Sequence, residues 1–126
     1  VPVEAREPDA VEENTMAENV IEFGDFQKVE IIVAKILSAE PVPGADKLLK
    51  MQMDDGRGGR QTVAGIAPWV KPEDLVGLYV PIVANLKPAK LRGELSEGMM
   101  LAAQDGEGNL SLVVMQKEIA PGSKVV

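Results

Sequence analysis

The chain has 126 residues, 45% of them hydrophobic, with no cysteine, no histidine and a formal net charge of −7. That length suits one domain with a modest core. The missing His and Cys exclude a Ser-His or Cys-His nucleophile within the chain, a disulfide framework and the usual zinc ligands, so a binding module without metal or cofactor is expected rather than an enzyme. No apolar run approaches the ~20 residues of a membrane span and no signal peptide is visible, so no membrane partner and a cytoplasmic place are expected. Val1 in place of an initiator Met is what an excised or processed piece of a longer protein, or equally a trimmed standalone one, would show.

The charge is not spread evenly. Residues 1–30 carry nine acids (Glu4, Glu7, Asp9, Glu12, Glu13, Glu18, Glu22, Asp25, Glu30) against Arg6 and Lys28, a net of −7, while residues 31–126 carry eleven acids and eleven bases. The overall acidity therefore says nothing against a nucleic-acid partner; the local charge is what counts.

In chain order, residues 1–24 read as an acidic linker or disordered arm, with Pro2 and Pro8 and no apolar period until Val20, Ile21, Phe23 and Phe26, which are expected to plug the domain's end or meet a partner subunit. The folded domain is expected over residues 25–126. Val29 to Leu37 alternates as a strand and then breaks at Ala34-Lys35-Ile36-Leu37, which predicts a bulge. Pro41 to Lys47 is a turn by composition, and Leu49, Met51 and Met53 alternate with polar residues as strand two, the methionines acting as core filler. Asp54-Asp55-Gly56-Arg57-Gly58-Gly59 reads as a hairpin tip; as a phosphate cradle it lacks the Gly-Lys-Ser/Thr ending and a following helix. Gln61 to Ile66 is strand three, with Gly65 as a place of close approach. Lys71 to Gly77, with Pro72 near its start and Gly77 at its end, is one short helix, and Leu78 to Ala84 is strand four.

Asn85 to Met99 then holds Lys87, Lys90 and Arg92 with no acid before Glu94. Pro88 and Gly93 stiffen and turn it, so a shaped basic loop is expected rather than a helix or strand, either holding phosphates or simply solvated. Met99 to Ala103 is strand five, Leu110 to Met115 a further strand, and Ala120 to Val125 a last turn and extended end. Five short strands, one helix between the third and fourth, and a C-terminal β extension predict an all-β protein with an OB-fold barrel. In that fold the loops between strands one and two and between strands four and five border the ligand face, which brings Lys47 and the basic loop to one side.

From about Asp25 to Val126 the chain resembles the tRNA-binding domain appended to methionyl-tRNA synthetases, a domain shared with standalone bacterial tRNA-binding proteins and eukaryotic synthetase cofactors. The residues that carry the resemblance are Val29-Glu30-Ile31, Pro43-Gly44-Ala45-Asp46-Lys47-Leu48, Val63-Ala64-Gly65-Ile66, Asn85-Leu86-Lys87-Pro88-Ala89-Lys90-Leu91-Arg92-Gly93 and Ser96-Glu97-Gly98-Met99. The resemblance implies that Asn85, Lys87, Lys90, Arg92, Ser96 and Met99 line a tRNA site. Lys87 and Lys90 suit phosphate as point charges, and Arg92 offers a planar fork. Asn85 and Ser96 are expected at ribose 2′-hydroxyls, Met99 against a base or buried in strand five, and Leu86, Leu91 and Leu95 as anchors to the barrel. With only Phe23, Phe26, Trp69 and Tyr79 as aromatics, base stacking is a poor mechanism, and recognition of folded tRNA by backbone shape and charge is expected. The resemblance further implies a homodimer through Leu110 to Met115, and a synthetase catalytic domain, in cis or in trans, whose affinity for tRNA the module raises without chemistry of its own. The competing class is a small protein-binding chaperone or export factor of the same superfamily, which would use apolar surface instead of the basic loop.

Overall fold

The computed structural model describes residues 19–126, so the acidic stretch before Asn19 lies outside the described residues. Contacts divide the chain into an N-terminal unit ending at Val29 and a body of residues 30–125. The N-terminal unit contains one turn of helix, α1 (Phe23–Phe26), with no buried side chain. Val20, Ile21, Phe23 and Phe26 are all exposed.

The body is built on β1 (Ile31–Val42), a strand long enough to serve two neighbours. Its first half pairs antiparallel with β4 (Tyr79–Val83), from Ile31↔Val83 to Lys35↔Tyr79. Its second half pairs with β2 (Ala45–Asp54), from Lys35↔Asp54 to Val42↔Ala45. The register slips between Ile36 and Ser38, so Leu37 is the extra residue of the bulge expected there, and it stands 52% exposed. A bulge sharpens coiling, which lets one strand pass from one side of a small barrel to the other. Pro41 does not end β1 as its composition suggests. It sits beside a second register shift, where a missing N–H is tolerated, and the reversal contracts to Pro43-Gly44, with Gly44 at φ 79. Lys47 accordingly lies within β2 and not in a loop.

β2 pairs with β3 (Arg60–Ala64), and β4 with the short β7 (Met99–Met100), giving the sheet order β3-β2-β1-β4-β7. The barrel closes where the far edge of β3 meets the residues just before β7: Glu97 N–H donates to the Gln61 carbonyl at 2.8 Å, and Val63 N–H donates to Ser96 Oγ at 3.1 Å. This is the expected OB-fold barrel, with the single helix α2 (Pro72–Leu75) between β3 and β4. Ile32, Ala34, Ile36, Leu49, Met51, Met53, Leu75, Val80 and Ile82 fill it, all at 1% exposure or less. Each large member contributes roughly 1.5–3 kcal/mol through burial. The methionines of β2 are core filler, as their alternation indicates. No backbone of the described chain crowds Gly65, since a Cβ there would meet nothing nearer than 3.9 Å.

Strand five is divided. β7 ends at Met100, and Ala102–Gln104 (β8) pairs instead with Leu110–Leu112 (β9) as the C-terminal extension. The tail then returns to the free edge of β1: Val33 N–H donates to Ser123 O, Gly122 N–H to Val33 O at 2.7 Å, and Val125 N–H to Ile31 O.

Candidate nucleic-acid interface

The basic stretch is a β-hairpin and not an irregular loop. β5 (Ala89–Leu91) pairs with β6 (Glu94–Ser96) in the register Ala89↔Ser96, Lys90↔Leu95, Leu91↔Glu94. Between them Arg92 (φ 52) and Gly93 (φ 84) both take positive φ, the requirement of a two-residue type I′ turn. Pro88 precedes β5 and leaves its pairing intact. Because side chains alternate, Lys90 and Leu95 share one face while Glu94 and Ser96 share the other.

The Glu94–Ser96 face is fastened to the barrel. Ser96 is 7% exposed, accepts from Val63 N–H and donates to Gly98 O at 3.0 Å. Its hydroxyl therefore closes the barrel where the sequence placed it on a ribose. Glu94 meets Lys50 Nζ at 3.4 Å, and the same ammonium reaches Glu40 at 3.2 Å. The hydrogen bond to Glu40 is the leading cause that raises the Lys50 pKa above its ordinary value. Gln61 Nε2 donates to Leu95 O at 2.7 Å. Asn85 Oδ1 accepts the Glu30 N–H at 2.8 Å, which ties the entry of the stretch to the start of β1.

A second set of bonds lies beneath both ends of the hairpin. Asp55, 2% exposed, accepts Arg57 N–H and Gly59 N–H on Oδ1 and Arg60 Nε on Oδ2 at 2.7 Å. Burial pushes its carboxyl up, but the Arg60 hydrogen bond and the two N–H donors outweigh it and leave the pKa lowered. Arg60 Nη1 donates to Ala84 O and Glu97 O, both at 2.9 Å. Arg57 forks onto Glu30 at 2.9 and 3.2 Å, and that hydrogen bond leads the lowering of the Glu30 pKa. Sequence reading saw a hairpin tip here and missed the ion pair. The available signal was an Asp opening a Gly-rich turn with an Arg closing it, which is the pattern of a side chain capping successive N–H groups.

Lys47, Lys90 and Arg92 come together around an open cleft of about 600 Å³ between the start of β2 and the hairpin, with Leu48, Leu91 and Asp46 also on its walls. Lys87 is exposed on the approach to β5, outside that lining, and Met99 is 48% exposed while its neighbour Met100 is in the core. Leu86, Leu91 and Leu95 are 46%, 38% and 40% exposed, so they are not the buried anchors that the sequence suggested. Among the described residues the ion pairs engage Lys28, Lys50, Arg57 and Arg60, and none engages Lys47, Lys87, Lys90 or Arg92. Two sets meet at the hairpin: Lys50, Arg57 and Arg60 are paired with acids of the body, whereas Lys47, Lys90 and Arg92 around the cleft and Lys87 beside it form no ion pair, a state they share with Lys35, Lys71, Lys117 and Lys124 elsewhere among the described residues. The second set can accept phosphate without breaking an internal salt bridge.

Methionine–tRNA ligase of Porphyromonas gingivalis is 51% identical over 105 residues, which is 83% of this chain and 15% of that protein, so the chain spans about one-seventh of the curated relative. Among solved structures, a MetRS related protein from Pyrococcus horikoshii superposes with a TM-score of 0.82 at 32% identity, covering 86% of this chain and 99% of the other. The chaperone CsaA from Bacillus anthracis gives 0.78 at 27% identity, covering 86% of this chain and 100% of that one. The model of the family described as "Putative tRNA binding domain" matches residues 31–124, from the start of β1 to the residue that bridges back to it. That match takes in most of the chain, and the protein belongs to this tRNA-binding domain family.

Proposed function

We propose that the domain binds folded tRNA across the cleft between β2 and the β5–β6 hairpin, with Lys47, Lys87, Lys90 and Arg92 on phosphates. The observation that carries this reading is the grouping, on and beside one hairpin and its cleft, of four cations that pair with no acid of the described chain. Met99 stands exposed at the hairpin's exit and belongs to the proposed contact, whereas Asn85 and Ser96 support it by holding the hairpin. The contact is with backbone charge and shape, so different tRNAs bind alike. The matched relatives are methionine–tRNA ligases several times longer, which supports a cytoplasmic module that raises the tRNA affinity of a synthetase catalytic domain joined in cis or in trans. A homodimer through the C-terminal extension completes the proposal. Val113 and Val114 are 40% and 48% exposed there, while Leu110 and Leu112 pack on the core.

The test is a fluorescence titration of the protein with tRNA at several salt concentrations. Affinity should fall linearly in log salt, and Lys90→Ala should weaken binding to different tRNAs equally while lowering the slope by about one. An unchanged slope in that variant would move the site off the hairpin. Suppression of client aggregation without tRNA binding would instead support the protein-binding class suggested by the likeness to the chaperone.

A further inference from the structure

We infer that Arg60 is the positioning residue of the basic hairpin: its guanidinium clasps both ends of the stretch 85–96 and holds the hairpin in the orientation that meets RNA. This rests on the reading that the hairpin is the tRNA contact. Ala84 is the residue before Asn85 and Glu97 the residue after Ser96, and the two carbonyls converge on one Arg60 nitrogen, each at 2.9 Å. The Arg60 Nε in turn is fixed by Asp55 at 2.7 Å, and Asp55 is fixed by two N–H groups of its own turn. The clasp therefore has a rigid foundation on the β2–β3 connection, and the hairpin hangs from it by both legs.

Two further observations single out this side chain. Its exposure is 13%, against 45% for Arg57, so it is turned into the protein and does not form part of the open cationic face. Gly98 lets the chain after Glu97 pass close beside it: a Cβ there would stand 2.9 Å from the Val83 carbonyl and at ordinary contact distance, 3.6 Å, from Arg60 Nη1. A lysine cannot reproduce the arrangement, because one ammonium lacks the divergent planar donors that reach a carboxylate and two carbonyls at once. Holding the hairpin before RNA arrives removes the ordering cost from the binding step.

Arg60→Lys removes the fork and keeps the charge. Lys47, Lys87, Lys90 and Arg92 remain, so the same number of counterions is released and the slope of log affinity against log salt is unchanged. The affinity for tRNA should fall about tenfold at every salt concentration as ordering is charged to binding. Hydrogen exchange should quicken at the amides of β5 and β6 and stay as it was at β1 and β2. Arg60→Gln, which removes both the fork and the charge, should repeat the fall in affinity and the faster exchange with the slope still unchanged, and serves if Arg60→Lys fails to fold. A slope that drops by about one in Arg60→Gln would show Arg60 to be a phosphate ligand and overturn the inference. Unaltered affinity in both variants, beside normal binding by the parent protein, would overturn the clasp alone. Absence of tRNA binding by the parent protein would overturn the tRNA reading itself and the clasp's purpose with it.

Discussion

Arg92 occupies a backbone conformation that costs an L-residue about 1 kcal/mol, at φ 52 in a turn whose favoured sequence is Asn-Gly. Among the described residues its side chain forms no ion pair, and it lines the open cleft. The strain is accounted for if the guanidinium is needed at the hairpin's tip. Arg92→Asn should then stabilise the fold by about 0.5–1 kcal/mol, seen as a rise in Tm, while weakening tRNA binding and lowering the salt slope by about one. Stabilisation with unchanged binding would leave the arginine unexplained. Asp55 makes the opposite bargain. Its folded pKa is below the ordinary value of 3.8, so its contribution is complete above that pH and is lost as pH falls through the folded value. Asp55→Ala should cost about 3 kcal/mol near neutrality and should lose part of the parent's decline in stability below pH 4, measured by denaturant unfolding at each pH. Residue types alone marked Lys47, Lys90 and Arg92 as cationic candidates. They also made Ser96 and Asn85 look like ribose readers, because a hydroxyl or amide has the same chemistry whichever way it points. The direction is set by the hairpin register, which puts Ser96 on the barrel face opposite Lys90.

The C-terminal tail and the Gly-rich tip are coupled elements. Gly56 and Gly122 pack backbone to backbone: a Cβ on Gly56 (φ 73) would meet Pro121 O at 2.4 Å, and one on Gly122 would meet Asp55 O at 3.1 Å. The same tail supplies the hydrogen bonds to Val33 on the edge of β1 that β2 does not reach. Gly56→Ala should therefore destabilise by about 2 kcal/mol or more, combining left-handed backbone strain with a backbone clash, and Tm should report it. Ending the chain at Ala120 should open the β1 edge and produce concentration-dependent association, measured by light scattering. A truncated chain that stays monomeric with unchanged Tm would show the tail to be dispensable. The elements themselves were legible where apolar and polar residues alternate, as in β2, or where Pro and Gly bracket a short helix, as in α2. They were not legible in Met99-Met100-Leu101-Ala102-Ala103, where uniform apolarity hides the change of pairing partner at Leu101. The hairpin was hidden for a different reason. Three-residue strands carry too little pattern, and the I′ turn that defines them has Arg in place of Asn.

Across the whole molecule the charge is unevenly distributed. Acids outnumber bases by seven within residues 1–30, whereas the remainder is balanced. Within that remainder Lys50, Arg57 and Arg60 are tied to acids, while Lys47, Lys87, Lys90 and Arg92 keep their charge for solvent. An RNA approaching the hairpin therefore meets local attraction on a chain whose excess negative charge is carried by residues 1–30. Repulsion between separated charges is screened over about 8 Å at ~0.15 M salt and reaches much further when salt is low. Deleting residues 1–24, whose net charge is −6 (seven acids against Arg6), should speed association with tRNA several-fold at ~0.01–0.05 M salt and leave it almost unchanged above ~0.15 M. Stopped-flow mixing of the parent and shortened chains with labelled tRNA would separate two physical cases. A gain confined to low salt means that the stretch acts through its field alone. A gain that persists at high salt, with a dissociation rate unchanged, means that the stretch competes for the hairpin itself as an acidic mimic of the phosphate backbone, because a direct contact is screened far less than a distant charge.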